Sequence, residues 1–303
     1  MSPPPLAAAG LAMAVASATL YGLNIGYARL ASFAGVSGST IVVYRVLLML
    51  ALVGIAAAAM RRSLRVARGE RGLMVVLGLS TTLIGVCYLS AVAFIPVAVA
   101  VVVFYTYPVF IVLASPFVEG TRLTPTLLAV VALALVGVVL VVGPAAGDLD
   151  WRGLALALLA SLATATQFFA AARSPRTGVY AKVFWIHVLV LPFAALIGLA
   201  AGHLAPPSNM MLAPYAVAMT IGGYVFGFVL QFMALVRIPA VAAGIIFCAE
   251  PVVAALSSTV ILDEPLSPLQ WLGGALVLSA IVANVVLTER RAAAAPTASG
   301  DNA

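Results

Sequence analysis

The chain has 303 residues, of which 64% are hydrophobic and 8% charged, with a mean hydropathy of +1.20. No water-soluble globular protein needs that much apolar surface, so lipid is the solvent for most of the chain. The net charge of +6 does not mark a nucleic-acid binder, because the basic run has no interleaved aromatics and no module signature.

Ten apolar segments of spanning length follow one another: 7–31, 38–60, 72–93, 96–117, 124–143, 151–172, 178–200, 213–235, 239–260 and 268–288. The first reads as a span and not as a cleavable leader. It lacks a basic n-region and runs on through Tyr21, Asn24 and Tyr27, past the length of an h-region. Connections are short and punctuated by Ile95-Pro96, Gly143-Pro144 and Ala205-Pro206-Pro207. Cys87 and Cys248 both fall in apolar runs, which argues against a disulfide framework. Residues 292–303 are rich in Ala, with Pro, Ser and Gly, and read as a disordered cytoplasmic tail.

Lysine and arginine set the orientation. One set of loops carries Arg61, Arg62, Arg65, Arg68, Arg71, Arg122, Arg173, Arg176, Lys182, Arg237, Arg290 and Arg291; the other carries Arg29 and Arg152. That asymmetry predicts both termini in the cytoplasm of a bacterial-type inner membrane.

A shift of 143 residues lays Pro96 on Pro239, Pro108 on Pro251 and Pro125 on Pro268 without a gap. Phe104 then meets Phe247, and the same shift carries Asn24 onto Gln167, Thr81 onto Tyr224 and Tyr88 onto Gln231. Each period holds five spans, an odd number, so matched helices cross the membrane in opposite directions. The expected fold is an all-α membrane protein with ten transmembrane helices in two inverted five-helix repeats, residues 1–147 and 148–291. Pro108 and Pro251 each remove a backbone donor inside an apolar run, which predicts a bend at matching places.

The chain resembles the drug/metabolite transporter superfamily, and within it the ten-helix EamA-type exporters. The likeness rests on Tyr107-Pro108-Val109 with Leu123-Thr124, on Glu250-Pro251-Val252 with Asp263-Glu264-Pro265-Leu266-Ser267, and on Tyr44-Arg45-Val46. Glu119 departs from the pattern, being displaced from the glutamate of the second repeat, and receives no role. The resemblance implies export of small metabolites by alternating access. A narrower similarity to amino-acid exporters, aromatic ones included, implies amino acids as substrates. It implies no cofactor.

Polar side chains at membrane depth are costly and face a bundle interior or water. With a rise of about 1.5 Å per residue, Asn24 lies about 25 Å from the start of its span, and Gln167 sits at a mirrored depth. Thr81 and Tyr88 are seven apart, hence on one helical face, which Tyr224 and Gln231 repeat in span eight. Tyr105 and Tyr107 add hydroxyls to span four, though they cannot both face one way; Tyr105 is the one expected at the site. Together with Glu250 these residues predict a cavity of amides and phenols near the midplane for a neutral or zwitterionic solute. The competing reading makes the amides interhelical glue, worth about 1 kcal/mol each. Arg45 and Glu250 lie at depths a few ångströms apart. They would hold the two ends of a zwitterion, or Glu250 would carry a proton. Structurally, they would form a buried pair, or Arg45 would reach outward beside a neutral glutamate. His187 reads either as a coupling group or as a hydrogen-bonded core residue.

Other classes leave weaker signatures. Gly35-Val36-Ser37-Gly38 has the form of an intramembrane serine-protease motif with His187 as nominal base, but Ser37 falls in a short outward loop. No zinc motif or phosphate loop is present in the sequence. A channel-like pore for small solutes is the nearer rival to a carrier. The partners expected are a small-molecule substrate and the lipid bilayer, with no nucleic acid and no metal.

Overall fold

The computed structural model describes residues 5–143, 149–200, 202 and 204–294. Those residues form helices α1 (Pro5–Phe33), α2 (Gly38–Ala59), α3 (Arg71–Ala91), α4 (Val97–Phe104), α5 (Tyr107–Val118) and α6 (Pro125–Val142). The second series is α7 (Trp151–Ala172), α8 (Val179–Ala200), α9 (Pro214–Leu235), α10 (Ala240–Phe247), α11 (Ala249–Ile261) and α12 (Pro268–Ala294). Among the described residues, ten spans are long and apolar enough to cross a membrane, α4–α5 and α10–α11 each making one. α12 continues through residues 292–294, which the sequence assigned to a tail; residues 295–303 lie outside the described part.

The 143-residue register holds in space. α3 and α9 begin at Arg71 and Pro214, α4 and α10 at Val97 and Ala240, and α6 and α12 at Pro125 and Pro268. The helix contacts follow the same rule: α1 packs on α9 as α3 packs on α7, while α2 packs on its own mate α8 and α6 on α12. At the α6–α12 crossing the backbones nearly touch. A Cβ at Gly137 would lie 2.8 Å from the Gly273 carbonyl oxygen, and one at Gly273 would lie 2.7 Å from that of Gly137.

The expected bends are complete breaks. α4 stops at Phe104 and α10 at Phe247, in each case four residues before the proline. A proline ring collides with the carbonyl of residue i−4, which fits helices that end four residues before Pro108 and Pro251, although Pro116 and Pro192 stay inside α5 and α8. Spans four and nine are therefore paired half-helices.

Because the spans alternate, the chain ends share one face, here the terminal face; the other is the far face. On the terminal face the loops before α3 and α8 lock together. Glu70 is buried there, and its carboxylate accepts the Arg176 and Thr177 amides at 3.0 and 2.7 Å and the Thr177 hydroxyl at 2.5 Å. Nearby, Glu119 Oε1 accepts the Ala240 amide at the start of α10, at 2.9 Å. Burial pushes the Glu119 carboxyl above its ordinary value, with the Ala240 amide pulling the other way.

Candidate functional site

A cavity of about 320 Å³ lies between the repeats. On α1, α2, α3 and α8 its walls come from the halves nearest the far face, exemplified by Ile25, Ser39, Leu89 and Ile197. It therefore runs from the first turn of α2 toward the midplane. α7 and α9 contribute Gln167 and Gln231, from their second halves, and these close it.

That floor is one hydrogen-bonded chain across four helices. The Tyr21 hydroxyl donates to Gln231 Oε1 at 2.8 Å, and Gln231 Nε2 donates to Gln167 Oε1 at 3.2 Å. Gln167 Nε2 donates to the Thr81 hydroxyl at 2.7 Å, which in turn donates its hydrogen bond to the Leu77 carbonyl at 2.6 Å. Donor and acceptor alternate without a gap, so α1, α9, α7 and α3 are held together at mid-membrane. Phe168 and Phe247, which line the cavity, and Phe232, which does not, are all buried.

The repeat shift relates the Gln167–Thr81 bond to Asn24 and Tyr224, but those two do not pair. Asn24 faces the cavity and its amide makes no hydrogen bond among the described residues. The Tyr224 hydroxyl meets His187 Nε2 at 2.9 Å instead. His187 Nδ1 lies 2.7 Å from the Val183 carbonyl, which only accepts. Nδ1 therefore carries the hydrogen, and in the neutral ring Nε2 accepts from Tyr224. His187 is fully buried behind the wall and orients Tyr224.

Two charged groups reach the cavity. The Arg45 guanidinium carbon stands 4.0 Å over the Tyr224 ring, and Arg45 Nε is buried without a hydrogen-bond partner among the described residues. Glu250, in the first turn of α11, accepts the Tyr105 hydroxyl at 2.8 Å. Arg45 and Glu250 form no ion pair with each other. Each is engaged by a tyrosine, Arg45 by the ring of Tyr224 and Glu250 by the Tyr105 hydroxyl, and both line the cavity. Phe104, Tyr107, Phe168, Phe228 and Phe247 supply aromatic wall.

Of the residues expected at a site, Asn24, Thr81, Gln167, Tyr224, Gln231, Glu250 and Arg45 line the cavity. Tyr105 is a buried support, and Tyr88 packs edge-on against Phe104 at 5.2 Å outside the cavity. Pro108 and Pro251 lie behind it, at the helix breaks. The sequence reading passed over Tyr21, which is three residues before Asn24 and hence on the same helical face. Of Tyr105 and Tyr107, which cannot both face one way, it is Tyr107 that lines the cavity, where Tyr105 was expected. Ser37 caps α2, its hydroxyl accepting the Thr40 amide at 3.3 Å. With both His187 nitrogens engaged by Val183 and Tyr224, no serine–histidine couple forms. Gly22, Gly26, Gly223 and Gly227 admit close neighbours, whereas Gly222 has nothing within 4 Å.

The EamA-like transporter family matches residues 8–143 and 151–286, one match for each repeat. No curated protein matches the sequence. A solved crystal structure aligns with a TM-score of 0.74 at 22% sequence identity, over 95% of this chain and 99% of that one, a likeness of fold. With the family matched over both repeats, the chain belongs to the EamA-like transporter family: it is a multi-pass membrane transporter of small solutes.

Proposed function

We propose that this EamA-like transporter carries small zwitterionic metabolites, amino acids with aromatic or other apolar side chains, by alternating access. One observation carries the reading. A guanidinium and a carboxylate, Arg45 and Glu250, face the same cavity without pairing, and each is held in place by a tyrosine. A substrate carboxylate would take the unpartnered Arg45 donors and a substrate ammonium the free side of Glu250. Asn24 offers a neutral donor and acceptor alongside, and the phenylalanines accept an apolar side chain. The volume is at the small end of small-molecule sites, about 300–1,000 Å³. The arginine-rich loops support cytoplasmic termini in a bacterial-type inner membrane, so the cavity as it stands would open outward.

The cavity's closed floor favours a carrier over a channel. Purified protein in proteoliposomes, offered a panel of amino acids with and without a pH gradient, tests the substrate class. Counterflow of labelled phenylalanine against unlabelled is expected; flux without counterflow would make it a channel. Uptake of organic cations with no amino-acid competition would replace the substrate class.

A further inference from the structure

On the terminal face a second concavity, about 1030 Å³, lies between residues 63–68, the start of α3 and the second and third turns of α8. Its rim carries Arg65, Arg68 and Arg71, all exposed, and none of the three forms an ion pair among the described residues. No acidic side chain lines it. The adjacent Glu70 turns inward and is consumed by Thr177 and Arg176. One helical turn deeper the walls become apolar: Val75 follows Arg71 by four residues on α3, and Leu189 follows Trp185 by four on α8. Trp185 marks the level where polar gives way to apolar. Its indole donates to the Leu64 carbonyl at 2.9 Å while the residue stays 41% exposed, the position an amphipathic ring takes at a headgroup boundary. The groove ends where α3 and α8 close on each other, since a Cβ at Gly78 would overlap the Leu189 side chain.

We propose that this groove binds an anionic membrane phospholipid, with its phosphate among Arg65, Arg68 and Arg71 and an acyl chain along Val75 and Leu189. Guanidinium forks match phosphate oxygens bidentately, and three of them around one mouth give a site where scattered loop arginines would give a diffuse field. A soluble phosphate would use the rim but not the apolar wall beneath it. The lipid uses both. The site is separate from the central cavity and does not depend on what that cavity transports.

Native mass spectrometry of the full-length protein, delipidated in detergent and titrated with phosphatidylglycerol or phosphatidylcholine, tests this. Phosphatidylglycerol is expected to be retained about tenfold more tightly, and Arg65→Gln, Arg68→Gln and Arg71→Gln each to weaken it about fivefold. The double variant Arg61→Gln/Arg62→Gln removes charge from the same loop outside the groove and is expected to change retention about twofold or less. Equal retention of the two lipids, or equal loss in the control variant, overturns the site. Displacement of the lipid by millimolar inorganic phosphate would assign the arginines to a soluble anion and overturn the lipid; phosphate without effect supports it.

Discussion

The two faces of the molecule are built from the same repeat and stand in different states. On the terminal side α3 lies along α8 and Gly78 is filled by Leu189. Shifted by 143, that contact becomes Ile221 with Val46, on α9 and α2. There the helices meet only sparsely, and Val46 lines the open cavity. The hydrogen bonds obey the same division. Gln167 holds Thr81, while Asn24 leaves Tyr224 to His187. Identical local sequence logic thus yields a locked half and an unlocked half. The difference resides in which interface is closed and not in the helices themselves.

The largest test of that comparison removes the charges the open half exposes. Arg45→Gln and Glu250→Gln are each expected to weaken phenylalanine binding by roughly 2–5 kcal/mol, since each strands an opposite charge of the substrate in a desolvated site. Scintillation proximity binding with labelled phenylalanine measures this. An amino-acid ester should be indifferent to Arg45→Gln, and an N-acyl amino acid indifferent to Glu250→Gln. If neither variant changes binding, the cavity does not hold a zwitterion.

Overpacking the locked half should come next. Gly78→Leu forces α3 from α8 at a cost of about 1–3 kcal/mol, enough to shift the balance of the two faces by tenfold or so. A cysteine pair placed as Val46→Cys with Ile221→Cys reports the opposite arrangement. Its cross-linking is expected to rise in the Gly78→Leu background, and an unchanged rate would break the symmetry argument.

A smaller effect is expected at the floor. Gln231→Leu cuts the chain between Tyr21 and Gln167, a loss of about 0.6–1 kcal/mol in a membrane interior. The same cross-linking rate should rise a few-fold, and Gln167→Leu should act alike because both sit in one hydrogen-bonded line. The smallest effect belongs to the far-face pair Arg29–Glu264. Its atoms are 2.7 Å apart, but the side chains are 49% and 44% exposed. Glu264→Gln is expected to change thermal stability by about 0.5 kcal/mol or less, because a solvated pair gains little. A large drop would mean that Glu264 helps to lock the far face.

How far the site was readable follows from how each residue announces itself. Asn24, Gln167, Gln231, Arg45 and Glu250 stand out because polar groups are expensive in lipid and need a reason to be there. Tyr21 gave no such signal, since a tyrosine is at home in a core as well as in a cavity, and for the same reason the sequence could not choose between Tyr105 and Tyr107. Tyr88 was placed on the right helical face, yet that face turns toward Phe104 where it passes α4. Periodicity orients a residue around its own axis and says nothing of what lies opposite.

By itself the chain's composition decided that lipid surrounds it, its hydropathy decided ten spans, and the proline register decided two inverted copies bent at matching points. These are local or periodic properties, written in consecutive residues and enforced by backbone geometry. Only the tertiary structure decided that Arg45 and Glu250 share one cavity unpaired, that His187 stands behind Tyr224, and that one face is shut while its mate is open. Those outcomes depend on contacts between residues far apart in the chain, which no single segment encodes.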